Sequence, residues 1–165
     1  MQHDSFLEEK AAIQRAAIAH RARWMALVFE EMENDGIPND QIERILRRAV
    51  RRCGRMDGLN YRNNAKDPES IEEIIHTRFA NEMGRASFAQ TGIVADEKKG
   101  TVHCTFCPLV DAWKRMGLAQ ERIELLCDIA MDGDRAILEL LGFSMELPHT
   151  LAHGEKDCTM HYSKR

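Results

Sequence analysis

Two of the chain's five cysteines stand three apart, in His103-Cys104-Thr105-Phe106-Cys107-Pro108. Cys127 follows, with Asp128, Asp132 and Asp134 just after it, and Cys158 lies near His149, His153 and His161. Three kinds of chemistry use such a set. A thiolate can attack an electrophilic carbon while a His or an Asp moves the protons. His103 is the nearest such group to Cys107 along the chain. Alternatively, Cys104-x-x-Cys107 has metal-ligand spacing, and His103, Cys127, Cys158 and His161 could complete a shell around zinc, which would activate water directly. Against this, the chain has no second Cys-x-x-Cys. Finally, the thiols can simply pack, because free Cys is among the most buried residue types. That reading suits Cys127, in the middle of an apolar helical pattern, and Cys53, which stands among apolar positions.

Cys107 differs from the others in its local setting. Thr101 to Phe106 alternates and is rich in β-formers, so it reads as a strand. After Cys107 comes Pro108, then Val110, Trp113 and Leu118 at helical spacing. Pro is favoured at the first position of a helix, where its missing N–H costs nothing. Cys107 is therefore expected at the N-cap, where unpaired N–H groups and the helix dipole favour thiolate. Strand alternation would put His103, Thr105 and Cys107 on one face, and Cys104 and Phe106 on the other. In the last strand it puts Cys158, Met160 and Tyr162 on one side, with Thr159 and His161 on the other. In the helix after Cys107, Cys127, Met131, Asp134 and Leu138 share a face.

The elements that must position these groups can be read in order. Ser5 and Glu8 form a capping box for a long first helix that ends near Asn34-Asp35-Gly36. Ile13, Ala17, His20, Trp24, Leu27 and Val28 lie on one stripe of it. This stripe is either a core face or, in part, a contact for a second copy. Pro38-Asn39-Asp40 opens a second helix whose apolar side is Ile42, Ile45, Leu46, Ala49, Val50 and Cys53. Its other side carries Arg44, Arg47, Arg48, Arg51, Arg52 and Arg55. That side reads either as an anion site or as a solvated face answered by acidic neighbours. Gly54 to Lys66 reads as a loop. A third helix starts at Asp67-Pro68-Glu69. Then come a hairpin over 87–106, a short helix from Pro108 to Met116 and a longer one from about Ala119 to Leu141. A second hairpin runs over 143–162. Three helices, hairpin, two helices, hairpin is an α+β order with a mostly antiparallel sheet and helices on one face.

Composition narrows the class. At 165 residues the chain is long enough for one domain with a real core. It divides into a helical subregion over 1–84 and an α+β subregion over 85–165. The net charge of -4 makes no global case for nucleic acid. No apolar run approaches a membrane span, and the first residues lack a basic, apolar leader. A cytoplasmic protein with reduced thiols is expected.

The ordered set Cys107-Pro108-Leu109, Trp113, Gly117, Cys127, Thr150-Leu151-Ala152-His153-Gly154 and Cys158 resembles the L-2-amino-thiazoline-4-carboxylic acid hydrolase family over about residues 85 to 163. Residues 1 to 84 resemble it only in being helical. Where the family commonly has an acid three residues after the helical Cys, this chain has Ala130, with Asp128, Asp132 and Asp134 nearby. The resemblance implies hydrolytic opening of a small ring with a C=N bond next to sulfur, giving a carbamoylated cysteine. The candidates are then Cys107, His103 and Asp134 for catalysis. Arg85, Cys127, Cys158 and His161 are candidates for holding the substrate, with an Arg clamping its carboxylate. No cofactor is required by the sequence. Zinc or another divalent metal would take Cys104, Cys107 and His103. The partners expected are a small-molecule substrate and a second copy of the chain, with neither nucleic acid nor membrane. The rival reading is a non-enzymatic sensor that binds a small molecule or a metal. Residues 154 to 158 also resemble the end of vinyl-reductase-type sensory domains.

Overall fold

The computed structural model describes residues 2–165. Helix α1 (Gln2–Asn34) starts before Ser5, so the Ser5/Glu8 box lies within its first turns and not at its cap. Helix α2 (Asn39–Asn64) begins after Pro38. A short α3 (Ile71–Ile74) runs into a π-helical turn (Ile75–Phe79), and α4 (Glu82–Phe88) follows. Strands β1 (Gln90–Ala95) and β2 (Lys99–Cys104) form the first hairpin. Helices α5 (Pro108–Arg115) and α6 (Gln120–Leu140) then lead to the second hairpin, β3 (Phe143–His149) and β4 (Cys158–Lys164). The fold is α+β. Its sheet is antiparallel throughout, in the order β1-β2-β4-β3, so the two hairpins meet at the β2–β4 ladder.

Burial along β2 alternates, with Gly100, Val102 and Cys104 buried and Thr101 and His103 more exposed. The buried side meets Ile71, Ile74, Ile75, Ile137 and Leu138, and with Phe143, Met160 and Tyr162 this forms a core beneath the sheet. A second core joins Ala22, Ala26 and Phe29 of α1 to Ile42 and Leu46 of α2, Trp113 of α5 and Leu126 and Ile129 of α6. The Trp113 indole N–H donates to the Ala22 carbonyl at 2.9 Å, so its one polar atom is satisfied inside that core.

Three sequence readings change here. First, α2 continues to Asn64, through the segment read as a loop. Gly54 and Gly58 are buried, and a Cβ on Gly54 would lie 2.2 Å from the Gly133 carbonyl oxygen. These glycines are a seam for close approach of α2 to α6 and not chain breakers. Second, that seam turns Cys53 outward, and it is exposed rather than core. Third, α1 buries Ala11, Ile18, Ala22, Ala26 and Phe29, whereas Ile13, Trp24 and Leu27 remain 67%, 63% and 48% exposed. The expected core stripe is an outward one. The arginine face of α2 follows the charge-answered reading where it meets α6: Arg47 pairs with Glu43, Asp128 and Asp132, and Arg51 with Glu139. No helix among the described residues is long and apolar enough to cross a membrane.

Candidate active site

Cys107 is the N-cap of α5, with extended backbone (φ -135°, ψ 115°) and Pro108 at the first turn. The Asp111 N–H donates to its carbonyl at 3.0 Å. The N–H groups of Val110 and Leu109 favour the charged form of its sulfur, as the helix start implies, although the sulfur accepts no cap hydrogen bond. Burial outweighs them and pushes the thiol up to about 11. The expected thiolate is therefore corrected to a neutral thiol at pH 7. It needs a base to react.

Cys104 closes β2 on the inner face, and burial pushes its thiol up to about 12. Cys158 opens β4 directly opposite Cys104. Its pKa is also raised by burial, although the Leu151 N–H donates to its sulfur at 3.3 Å. Cys127, buried on α6, is pushed further up than Cys104. The four thiols act on one another electrostatically in every pairing except Cys104 with Cys127. A charge on Cys158 would raise Cys104 and Cys107, and a charge on Cys107 would raise Cys127. They collect where the two cores meet, Cys107 and Cys127 against the helical one and Cys104 and Cys158 against the one under the sheet.

Asp134 enters the same group from α6. Its charge would raise Cys104, Cys107 and Tyr162. Burial lifts its carboxyl above the usual carboxylate range, with Arg78 and Arg21 opposing and Asp57 adding. It has no hydrogen-bond or ion-pair partner among the described residues. By contrast, Asp128 and Asp132 are held by Arg47 and Arg135. Of Asp128, Asp132 and Asp134, only Asp134 lacks an ion pair among the described residues.

Other sequence candidates fall elsewhere. β2 ends at Cys104 and the chain bends before Cys107, which breaks the alternation expected to join Cys107 to His103. His103 lies on the outer face of the sheet. Its Nδ1 is 3.1 Å from Thr159 Oγ1 and 3.8 Å from Asp157 Oδ2. A Cβ on Gly92 would meet its ring at 2.8 Å. His161 shares that outer face, with Nδ1 3.2 Å from Thr101 Oγ1. Arg85 is exposed on α4, where its Nε donates to the Ala80 carbonyl at 2.7 Å and its guanidinium meets His76 at 3.3 Å. It lines a shallow cleft with Leu7 and Asn81, apart from the thiols. Among the described residues no group of three or more His, Cys, Asp or Glu side chains could hold a metal ion. Cys104, Cys107 and His103 do not converge because the sheet separates the imidazole from the sulfurs.

Two polar groups were missed. Ser87 Oγ and Gln90 Oε1 are buried with no hydrogen-bond partner among the described residues. Gln90 is the ladder partner of Cys104, and its Nε2 donates to the Phe79 carbonyl at 2.9 Å. Its side chain also reaches the Cys104 thiol and favours that thiol's charged form. Read inside a strand that begins at Ser87, Gln90 gave no signal, since only the ladder register brings it to Cys104. A surface cleft of about 790 Å³ between the end of α2 and the π-helical turn is lined by Asp57, Tyr61, Thr77 and Arg78 and has no cysteine in its wall.

The family model described as L-2-amino-thiazoline-4-carboxylic acid hydrolase matches residues 15–162. The chain belongs to this family. The match takes in most of α1 and all of α2, so the helical half belongs to the hydrolase architecture as well. This extends the resemblance read over 85 to 163. No curated protein matches the chain. Within the matched range α1 and α2 pack against α5 and α6; Cys107 caps α5, and α6 carries Cys127 and Asp134.

Proposed function

We propose that the protein is a hydrolase that opens the ring C–N bond of a cyclic amidine of the 2-amino-thiazoline-4-carboxylate type, with Cys107 as nucleophile and Asp134 as proton carrier. What supports this reading is Asp134, which has a raised pKa, makes no hydrogen bond or ion pair among the described residues, and acts electrostatically on the Cys107 thiol at the helix start. A neutral thiol needs a base within the same site, and a carboxylate whose affinity for protons is raised by burial is a better base than an exposed one.

Asp134 takes the Cys107 proton as sulfur bonds to the amidine carbon. The ring C–N bond breaks, and the departing nitrogen receives that proton from Asp134. The carbon is then held on Cys107 and still bears the ring sulfur and the exocyclic nitrogen. Water adds to it, Asp134 relays the water proton, and Cys107 leaves as thiol. The product is an S-carbamoyl cysteine, and the balance is substrate plus one water. The N–H groups of Leu109 and Val110 stabilise the leaving sulfur. The buried Oε1 of Gln90 is an acceptor that lacks a donor, and the amidine N–H groups supply one.

Loss of substrate absorbance on 2-amino-thiazoline-4-carboxylate tests the reading. The wild-type protein should turn it over, and Cys107→Ala should abolish turnover with the fold retained. Wild-type rates in Cys107→Ala would overturn the role of Cys107.

A further inference from the structure

The proposed hydrolysis leaves two of the clustered thiols unused, and the backbone holds them face to face. Cys104 and Cys158 are direct Cα partners in the antiparallel β2–β4 ladder. Directly opposed residues in such a ladder have Cα atoms about 4.5 or 5.5 Å apart, within the roughly 4.4–6.8 Å that a disulfide spans. Both side chains belong to the inner face, with Val102, Met160 and Tyr162. Cys104 is 4% exposed, while Cys158 is half-buried, so a reagent from solvent meets Cys158 first. Neither thiol has a competing partner of equal geometry. Cys107 lies beyond the bend that follows β2, Cys127 is on α6, and Cys53 is exposed at a distance on α2.

We propose that Cys104 and Cys158 form a reversible intramolecular disulfide by exchange with a low-molecular-weight disulfide of the glutathione class. The Cys158 thiolate attacks one sulfur of the small disulfide, whose other half leaves as a thiolate and takes up a proton. The Cys104 thiolate then attacks Cys158 sulfur in the mixed disulfide and expels the second half as a thiol. Two protein thiols are oxidised and one small disulfide is reduced to two thiols. Both protein thiols sit high in pH because of burial, so the exchange quickens as the medium becomes alkaline. The bond locks the two hairpins together at their shared ladder and closes a loop that contains α5, α6 and β3. Closing a loop of this length restricts the unfolded chain strongly, and the melting temperature of the oxidised form should rise by about 10 °C.

The test uses the full chain in mildly alkaline buffer with glutathione disulfide, then acid quench, alkylation of the denatured protein and peptide mass spectrometry. Exposed Cys53 serves as the internal reporter that the oxidant acted. The expected result is a linked Cys104–Cys158 peptide pair and a raised melting temperature, both reversed by dithiothreitol and absent in Cys158→Ser. A Cys107–Cys158 link would overturn the proposal. So would a glutathione adduct persisting on Cys158, or both thiols staying free while Cys53 is modified. None of these outcomes depends on whether the chain turns over a thiazoline.

Discussion

The close approach of α2 and α6 makes Gly54→Ala a severe change for one methyl group. The added Cβ would sit 2.2 Å from the Gly133 carbonyl oxygen and 2.9 Å from the Gly133 Cα. Backbone cannot rotate out of the way as a side-chain tip can. To restore ordinary contact the helices must part by about 1 Å, and a gap of that size forfeits a quarter to a half of each dispersion contact along the seam. Overpacking costs typically about 1–3 kcal/mol, and this seam joins the helix bearing Asp134 to the helical core. Alanine returns about 1 kcal/mol in helix propensity over glycine. The clash is with backbone, so the upper end applies and the net cost should be about 2 kcal/mol, a fall of roughly 4–8 °C in melting temperature for a chain of this size. Gly58→Ala is the control. Its Cβ would meet the Leu140 Cδ2 methyl at 2.9 Å, a flexible tip that can turn aside, and Ile137 Cα at 3.3 Å. It should stay within about 1 kcal/mol of wild type. Thermal melting by circular dichroism reads both. A Gly54→Ala protein as stable as wild type would refute the seam.

Three other outcomes are expected. Alkylation at neutral pH, read by peptide mass spectrometry, should label exposed Cys53 first, and then Cys107 before Cys104 and Cys127, whose thiols lie higher still; labelling of Cys127 ahead of Cys107 would contradict the order. Asp134→Asn should raise the melting temperature at pH 7, because a carboxyl whose folded pKa is raised stabilises fully only below its unfolded value and loses that contribution as pH rises through the folded one. The gain should therefore shrink toward zero as pH falls below the ordinary Asp range, and a gain independent of pH would contradict the assignment. The outward stripe of α1 should seat a second copy of the chain: light scattering should give twice the chain mass, and Trp24→Lys should reduce it to one.

How much of this was legible in the sequence depended on whether a signal was local. The N-cap of α5 followed from Cys107-Pro108 alone, because a cap is decided by adjacent residues. The grouping of Cys127 with Asp134 followed from helical spacing within α6. The order of helices and hairpins came from periodicity and turn residues in the same way. The errors came where tertiary packing reassigned a local signal. Gly54 and Gly58 have the same composition in a loop and in a helix seam, and only the approach of α6 distinguishes the two. The stripe through Trp24 is apolar, yet α1 has a second apolar face at Ile18, Ala22 and Phe29 that won the core. His103 was tied to Cys107 by an alternation that lasts only as long as the strand, and the strand stops at Cys104. Burial likewise reversed the electrostatics of Cys107, since a helix start acts through two N–H groups whereas desolvation acts from all sides.

The proposed hydrolysis requires that the amidine carbon be transferred to Cys107. The most direct measurement is a rapid acid quench of the protein with excess 2-amino-thiazoline-4-carboxylate, followed by peptide mass spectrometry. The expected result is a substrate-derived adduct on the peptide containing Cys107, present in wild type, lost in Cys107→Ala, and accumulating in a variant slowed at the water step. Turnover of the substrate with Cys107 unmodified at every quench time, and with Cys107→Ala as active as wild type, would contradict it.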